Sequence, residues 1–169
     1  MHVLFTKLSD LRHRVEVVRA DGTREKAELD TRSFLTHDFI HYAVEAISGM
    51  TWGFFGTLAA GAPLRQLNDR EANATWDPDS QIGLAESIAG PMLSVMKGHS
   101  DAEALLTGLD GMFSATGKLR PAWVTRAFVD QVHAEYDRLW ATWRATPFQG
   151  QLVLVWPNST LSGKAADRK

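Results

Sequence analysis

His37, Asp38, His41 and Glu45 are the residues whose types and spacing best suit chemistry in this chain. They lie within Thr36-His37-Asp38-Phe39-Ile40-His41-Tyr42-Ala43-Val44-Glu45. Side chains four apart on an α-helix sit one turn above one another, so His37, His41 and Glu45 would share one stripe. Two imidazoles one turn apart can reach a single divalent ion at about 2.0–2.1 Å, the spacing that H-E-x-x-H exploits, and zinc suits such a set best. Glu45 lies two turns from His37, about 12 Å along the axis, so it pairs easily with His41 but reaches a shared ion only by leaning back. A ligand from another element is an equal candidate. Glu86, a lone acid in the apolar run Leu84-Ala85-Glu86-Ser87-Ile88, is one such residue. Asp38 could act as base on a metal-bound water or orient a histidine from behind. It holds the position of the catalytic glutamate in H-E-x-x-H but is one methylene shorter.

The stripe also has a plain structural reading, in which it faces water or its histidines hydrogen-bond within the core. On a wheel of about 100° per residue, His41, Glu45, Asp38 and Ser48 fall within roughly 100° of His37. Leu35, Phe39, Ile40, Tyr42, Ala43, Val44, Ala46 and Ile47 fill the remaining arc. The polar stripe contains no Lys or Arg, unlike an ordinary surface face. A second group, Asp130, His133 and Asp137, falls opposite the apolar positions Val124, Phe128, Val132, Tyr136, Leu139 and Trp143. Beside Arg126 and Arg144, it reads as a solvated face.

Two functions follow from these residues. One is a metal-binding protein that activates water for hydrolysis or a lyase step on a small, partly apolar molecule. The other is a non-catalytic ligand-binding or protein-interaction module with a pocket formed by Trp52, Phe54 and Phe55, where Gly49, Gly53 and Gly56 permit close packing.

The elements that must position these residues can be read from periodicity. Residues 2–8 and 12–20 alternate as strands, and Asp21-Gly22 suggests a type I′ hairpin turn into a return strand over 23–29. A helix begins between Ser33 and Thr36, capped by either, and stops at Gly49. Residues 51–58 are aromatic and Gly-rich, and 59–80 read mostly as loop. A helix covers 82–97, with Pro91 as a kink or break. Ser100-Asp101-Ala102-Glu103 is a capping box for a short helix to Leu109. Pro121 opens a long helix to about Ala145, and Pro147 and Gly150 close it. Trp140, Trp143 and Trp123 read as anchors of that helix. Residues 151–156 form a last strand before Pro157, and 158–169 read as a disordered tail. Three strands, about four helices and one strand make an α+β fold with a small antiparallel sheet, in one domain over residues 1–157.

Composition narrows the function classes. The absence of Cys excludes disulfides, Cys-ligated zinc, iron–sulfur clusters and a thiol nucleophile. Lys plus Arg (18) nearly balance Asp plus Glu (20), giving a net charge of -2, which argues against a nucleic-acid partner. No apolar run is long enough for a membrane span and the first residues do not form a signal peptide, so a cytoplasmic location is expected. The edge of a short antiparallel sheet could pair two copies into a homodimer.

Two resemblances add to this. Arg32 to Glu45, together with Trp143-Arg144-Ala145-Thr146-Pro147-Phe148-Gln149-Gly150 through Trp156-Pro157, resembles a family of uncharacterised bacterial proteins of about this length. That resemblance brings no function with it. Separately, His37-Asp38-x-x-His41 resembles the H-D-x-x-H motif of a ubiquinone-biosynthesis protein family. It implies zinc held by His37, His41 and a later glutamate. That glutamate corresponds here to Gly53, so Glu45 would take its part.

Overall fold

The computed structural model of the chain describes residues 1–67 and 80–156. Its sheet contains β1 (His2–Lys7), β2 (Arg12–Val18), β3 (Arg24–Asp30) and β4 (Gln151–Val155). The order is β3-β2-β1-β4, and every neighbouring pair is antiparallel. Alternation decides which face is covered. Val3 and Phe5, Val15 and Val17, and Leu152 and Leu154 are buried on the inner face. The register lines them up: Val3 is opposite Val17 and Leu154, and Phe5 is opposite Val15 and Leu152. His13 lies in phase with Val15 and Val17 and is buried with them.

Among the described residues there are four long helices, α1 (Thr36–Ser48), α4 (Gln81–Met96), α5 (Ala102–Ala115) and α6 (Arg126–Ala145). Phe39 of α1 and Trp143 of α6 meet Phe5 and His13 of the inner face, and α5 packs on α4 and α6. Two short ones, α2 (Phe54–Ala59) and α3 (Leu64–Leu67), follow α1. The chain is therefore α+β. Helix α1 lies centrally, with Phe39, Ile40, Ala43 and Val44 buried. It packs against both α4 and α6, and Phe5 meets Phe39 edge-on with ring centroids 5.7 Å apart. No helix among the described residues is long and apolar enough to cross a membrane.

Several local expectations are corrected. At Asp21-Gly22 only the glycine has positive φ, at 86°. The hairpin closes with Gly22 N–H donating to Arg19 O, while Asp21 Oδ1 accepts from Thr23 N. One left-handed residue therefore suffices where a type I′ turn needs two. A π turn, Thr31–Leu35, precedes α1, and its cap is Asp30, which accepts from Ser33 N at 2.8 Å. Helix α4 runs through Pro91 unbroken. Burial of Ile88, Met92 and Val95 on either side outweighs the one backbone bond that proline removes. Asp101, one residue after Ser100, caps α5, which runs past Leu109 to Ala115. Thr125 caps α6, so Pro121 lies in the turn before it. Helix α2 occupies a segment too short and too rich in glycine to show a helical period. The stop at Pro157 and the tail 158–169 lie outside the described residues.

A buried cation ties α2 to the sheet. Arg19 is 8% exposed; its Nε donates to Leu58 O and its Nη2 to Ala62 O, both at 2.8 Å, and it pairs with Glu25. Removing it takes the side-chain donor from Ala62 O and one of two donors from Leu58 O and from Glu25, which keep Gly61 N and Leu64 N. Arg19→Ala is expected to cost about 3 kcal/mol in chemical denaturation. A loss below about 1 kcal/mol would assign the cluster to the surface.

Candidate metal centre

The stripe on α1 is aimed by what lies either side of it. Asp30 fixes the start of the π turn, and Gly49, in the left-handed region at φ 73°, ends α1 with its N–H on Glu45 O. Between these limits Phe39, Ile40, Ala43 and Val44 face the core. That choice turns His37 and His41 toward α4. On α4, Ser80 caps the first turn by accepting from Gly83 N at 3.1 Å. Ala85, Ile88, Ala89 and Met92 are buried, and Glu86 comes to face α1.

One ligand atom from each of His37, His41 and Glu86 lies within 4.8 Å of the others. Both imidazoles present Nε2 to the same oxygen: Glu86 Oε1 is 3.8 Å from His37 and 3.4 Å from His41. The two rings are 4.3 Å apart by centroid. Ligand atoms bonded tetrahedrally to one zinc ion lie about 3.3 Å apart, so only small side-chain shifts separate this arrangement from a coordination shell.

The opposite edge of each ring faces another acid. His41 Nδ1 is 3.3 Å from Glu45 Oε1, and His37 Nδ1 is 3.7 Å from Asp38 Oδ1. A proton on His41 Nδ1, donated to Glu45, leaves the Nε2 lone pair free. That Nε2 is fully buried and has no hydrogen-bond partner, and Asp38 Oδ1 has none either. A buried polar atom left unpaired is costly, and in native proteins it calls for an explanation.

Glu45 is held more firmly than its spacing reveals. It is 0% exposed, and it accepts from Phe54 N at 2.7 Å through Oε1 and from Phe55 N at 2.9 Å through Oε2. It therefore does for α2 what an N-cap side chain does, because the N-cap residue itself is Gly53. The expected pairing with His41 is present. The two backbone amides fix the carboxylate behind His41, away from the point where Nε2 and Glu86 converge. Asp38 is 4% exposed and approaches His37 on the Nδ1 side. Of the five residues singled out from the sequence, His37, His41 and Glu86 converge, while Asp38 and Glu45 stand behind them.

The charges suit a cation. Burial alone would lower the pKa of His37, but the carboxylates of Asp38 and Glu86 outweigh it and raise it to about 9. Burial likewise opposes charge on His41, yet Glu45 and Glu86 raise its pKa above the ordinary value. Burial would raise the pKa of Glu86, but the two imidazoles hold it well below the usual carboxylate range. These shifts are one attraction seen from each partner. Access is one-sided. The side chains of His37 and Glu86 are 43% and 40% exposed, and that of His41 is 0%. Phe54 lines the closed side, its ring 5.7 Å from His41 and 6.1 Å from His37.

The aromatic residues expected to line a pocket, Trp52, Phe54 and Phe55, differ in exposure. Phe54 and Phe55 are buried, Phe55 stacks on Trp156, and only Trp52 is half-exposed. His133 and Asp137 form an exposed pair at 3.6 Å, and Asp130 pairs with Arg126, as a solvated face does. One chemically notable residue escaped the sequence reading. His13 is fully buried, its Nδ1 is 3.3 Å from Thr31 Oγ1 and its Nε2 has no partner. Burial pushes its pKa down, which favours the neutral ring. Its phase with Val15 and Val17 was the available clue.

No protein-family model matches the chain, and neither does any curated protein or solved structure.

Proposed function

We propose that the protein binds a divalent metal ion through His37 Nε2, His41 Nε2 and the Glu86 carboxylate, and uses it to activate water against a small, partly apolar substrate. The observation that carries this reading is His41 Nε2. It is buried, makes no hydrogen bond and stands 3.4 Å from Glu86 Oε1, in a ring whose other nitrogen is 3.3 Å from Glu45. A carboxylate behind a ligating histidine sets its tautomer and raises its basicity. Glu45 takes that part for His41, and Asp38, with Oδ1 3.7 Å from His37 Nδ1, stands as its counterpart behind the other ring.

Three protein ligands leave a position open, as in catalytic zinc sites and unlike closed structural ones. A zinc ion there would bring the pKa of bound water to about 7. An ion held by His37, His41 and Glu86 would supply a nucleophile or base at neutral pH, the chemistry that hydrolysis and lyase reactions both require. The half-exposed His37 and Glu86 face the approach, and the buried Phe54 ring closes the centre behind them, which keeps the floor of the site apolar. Two histidines and one carboxylate with open positions also suit iron(II), so the ion is to be measured.

The test is elemental analysis of protein purified without chelator or affinity-tag metal, alongside His37→Ala/His41→Ala and Glu86→Gln. Near-stoichiometric zinc, iron or manganese in the parent, lost in the double variant and reduced in Glu86→Gln, is expected. Metal absent from the parent, with no change in melting temperature on adding these ions, would remove the proposal.

A further inference from the structure

A second concavity, of about 370 Å3, opens where the end of β1, the start of the π turn and the last turns of α6 meet. It shares no residue with the metal centre. Its chemistry is cationic and aromatic. Lys7, Arg32 and Arg144 line it against a single acid, Asp10, so three positive side chains meet one negative. Trp140 and Trp143 form the rest of its wall.

These cations divide into two kinds. Lys7 is structural: its Nζ donates to Thr146 O at 2.7 Å and lies 5.1 Å from the centre of the Trp143 ring. Arg32 and Arg144 are exposed, and neither guanidinium has an ion-pair or hydrogen-bond partner among the described residues. Elsewhere in the molecule most arginines do pair: Arg14 with Glu28, Arg24 with Glu16, Arg120 with Asp110, Arg126 with Asp130 and Arg138 with Glu135. The two arginines of this pocket thus keep planar donor arrays that no protein acid takes up in a hydrogen bond or ion pair, although, after the bond from Ser33 N, the nearby charge of Arg32 helps lower the pKa of Asp30. Such arrays match carboxylate or phosphate oxygens two at a time. Trp143 is buried under Lys7, whereas Trp140 is half-buried, meets Phe39 edge-on and keeps part of its ring for a visitor.

We infer that this pocket binds a small aromatic anion, its ring against Trp140 and its carboxylate or phosphate between Arg32 and Arg144. The volume stands near the lower end of ligand sites, about 300 to 1,000 Å3, which suits a single ring system. This site stands independently of the metal reading.

Four probes separate the contributions: benzoate and phenyl phosphate carry ring and charge, inorganic phosphate carries charge alone, and benzyl alcohol carries the ring alone. Each is titrated into the full chain and followed by tryptophan fluorescence and calorimetry. Benzoate or phenyl phosphate is expected to bind at least about tenfold more tightly than either partial probe. The better of those two identifies the anion. Arg32→Gln/Arg144→Gln is expected to weaken that binding by at least about tenfold with the melting temperature unchanged, because both side chains are exposed. Raised salt is expected to weaken it as well. No binding of benzoate or phenyl phosphate at millimolar concentration would overturn the inference. So would binding that survives the double variant, or inorganic phosphate binding as tightly as phenyl phosphate, since Trp140 would then have no part.

Discussion

Gly53→Ala is expected to destabilise the protein by about 4 kcal/mol and to weaken metal binding sharply, although residue 53 supplies no ligand atom. The backbone is not the reason. Gly53 has φ -76° and ψ -158°, an extended conformation open to any residue. The reason is space. A Cβ at position 53 would overlap Cδ and Oε2 of Glu45 and fall 2.8 Å from its Cγ. That carboxylate cannot simply swing aside, because Phe54 N, Phe55 N and His41 all hold it in a fully buried place. Displacing it uncovers two amides at the start of α2 and removes the acid that orients His41. A double-mutant cycle checks the mechanism. In a Glu45→Ala background the collision is gone, so Gly53→Ala should add no more than about 1 kcal/mol. Additive losses, or a Gly53→Ala protein as stable as the parent, would mean that Glu45 is not clamped as described.

The second large effect is a divergence in pH dependence between the metal-free and metal-loaded protein. In the metal-free protein His37 has its pKa raised from 6.5 to about 9. A raised pKa gives stability that is fully present below the unfolded value of 6.5 and lost as pH rises through about 9. Glu86 has its pKa lowered from 4.5, so its contribution is present above 4.5 and lost as pH falls. The metal-free protein should therefore be most stable between these two unfolded values and weaken on the alkaline side. Both side chains are more than one-third exposed, so solvent screening keeps this effect modest. Metal binding reverses the slope, because the imidazoles must be neutral to ligate. Below the pKa of His37, each unit of pH should change the affinity by about tenfold from that proton alone. Thermal melts with and without metal, from pH about 6 to about 8.5, should show the gap in melting temperature widening as pH rises. A gap that stays level would detach the imidazoles from the ion.

Much of the fold was legible because it depends on local alternation. β2 and β4 carry their buried residues at every second position, and the wide apolar arc of α1 marks it as a buried helix. The start of α5 was read one residue early, at Ser100 for Asp101, and that of α6 a few residues early, with Pro121 taken into a first turn that begins only after Thr125. Neighbouring residues of similar capping chemistry compete, and the packing of the following helix decides between them. His37 and His41 were legible as a pair because their separation is a single helical turn. The position of Glu86 was not, since it depends on how α4 leans against α1 across a connection that passes through α2 and α3. Nor could spacing reveal that Glu45 bonds Phe54 and Phe55. That contact is made by the turn at Gly49 to Gly53, whose path no periodicity records.

The unequal burial of the three converging side chains sets an order of events for an ion. His41 is sealed, while His37 and Glu86 are open to solvent over about two-fifths of their surfaces. A hydrated ion entering from solvent would meet the carboxylate and His37 first and would reach His41 Nε2 last, keeping water only at the position the protein leaves open. Departure would run in reverse, beginning where water or a competing anion could push in beside Glu86.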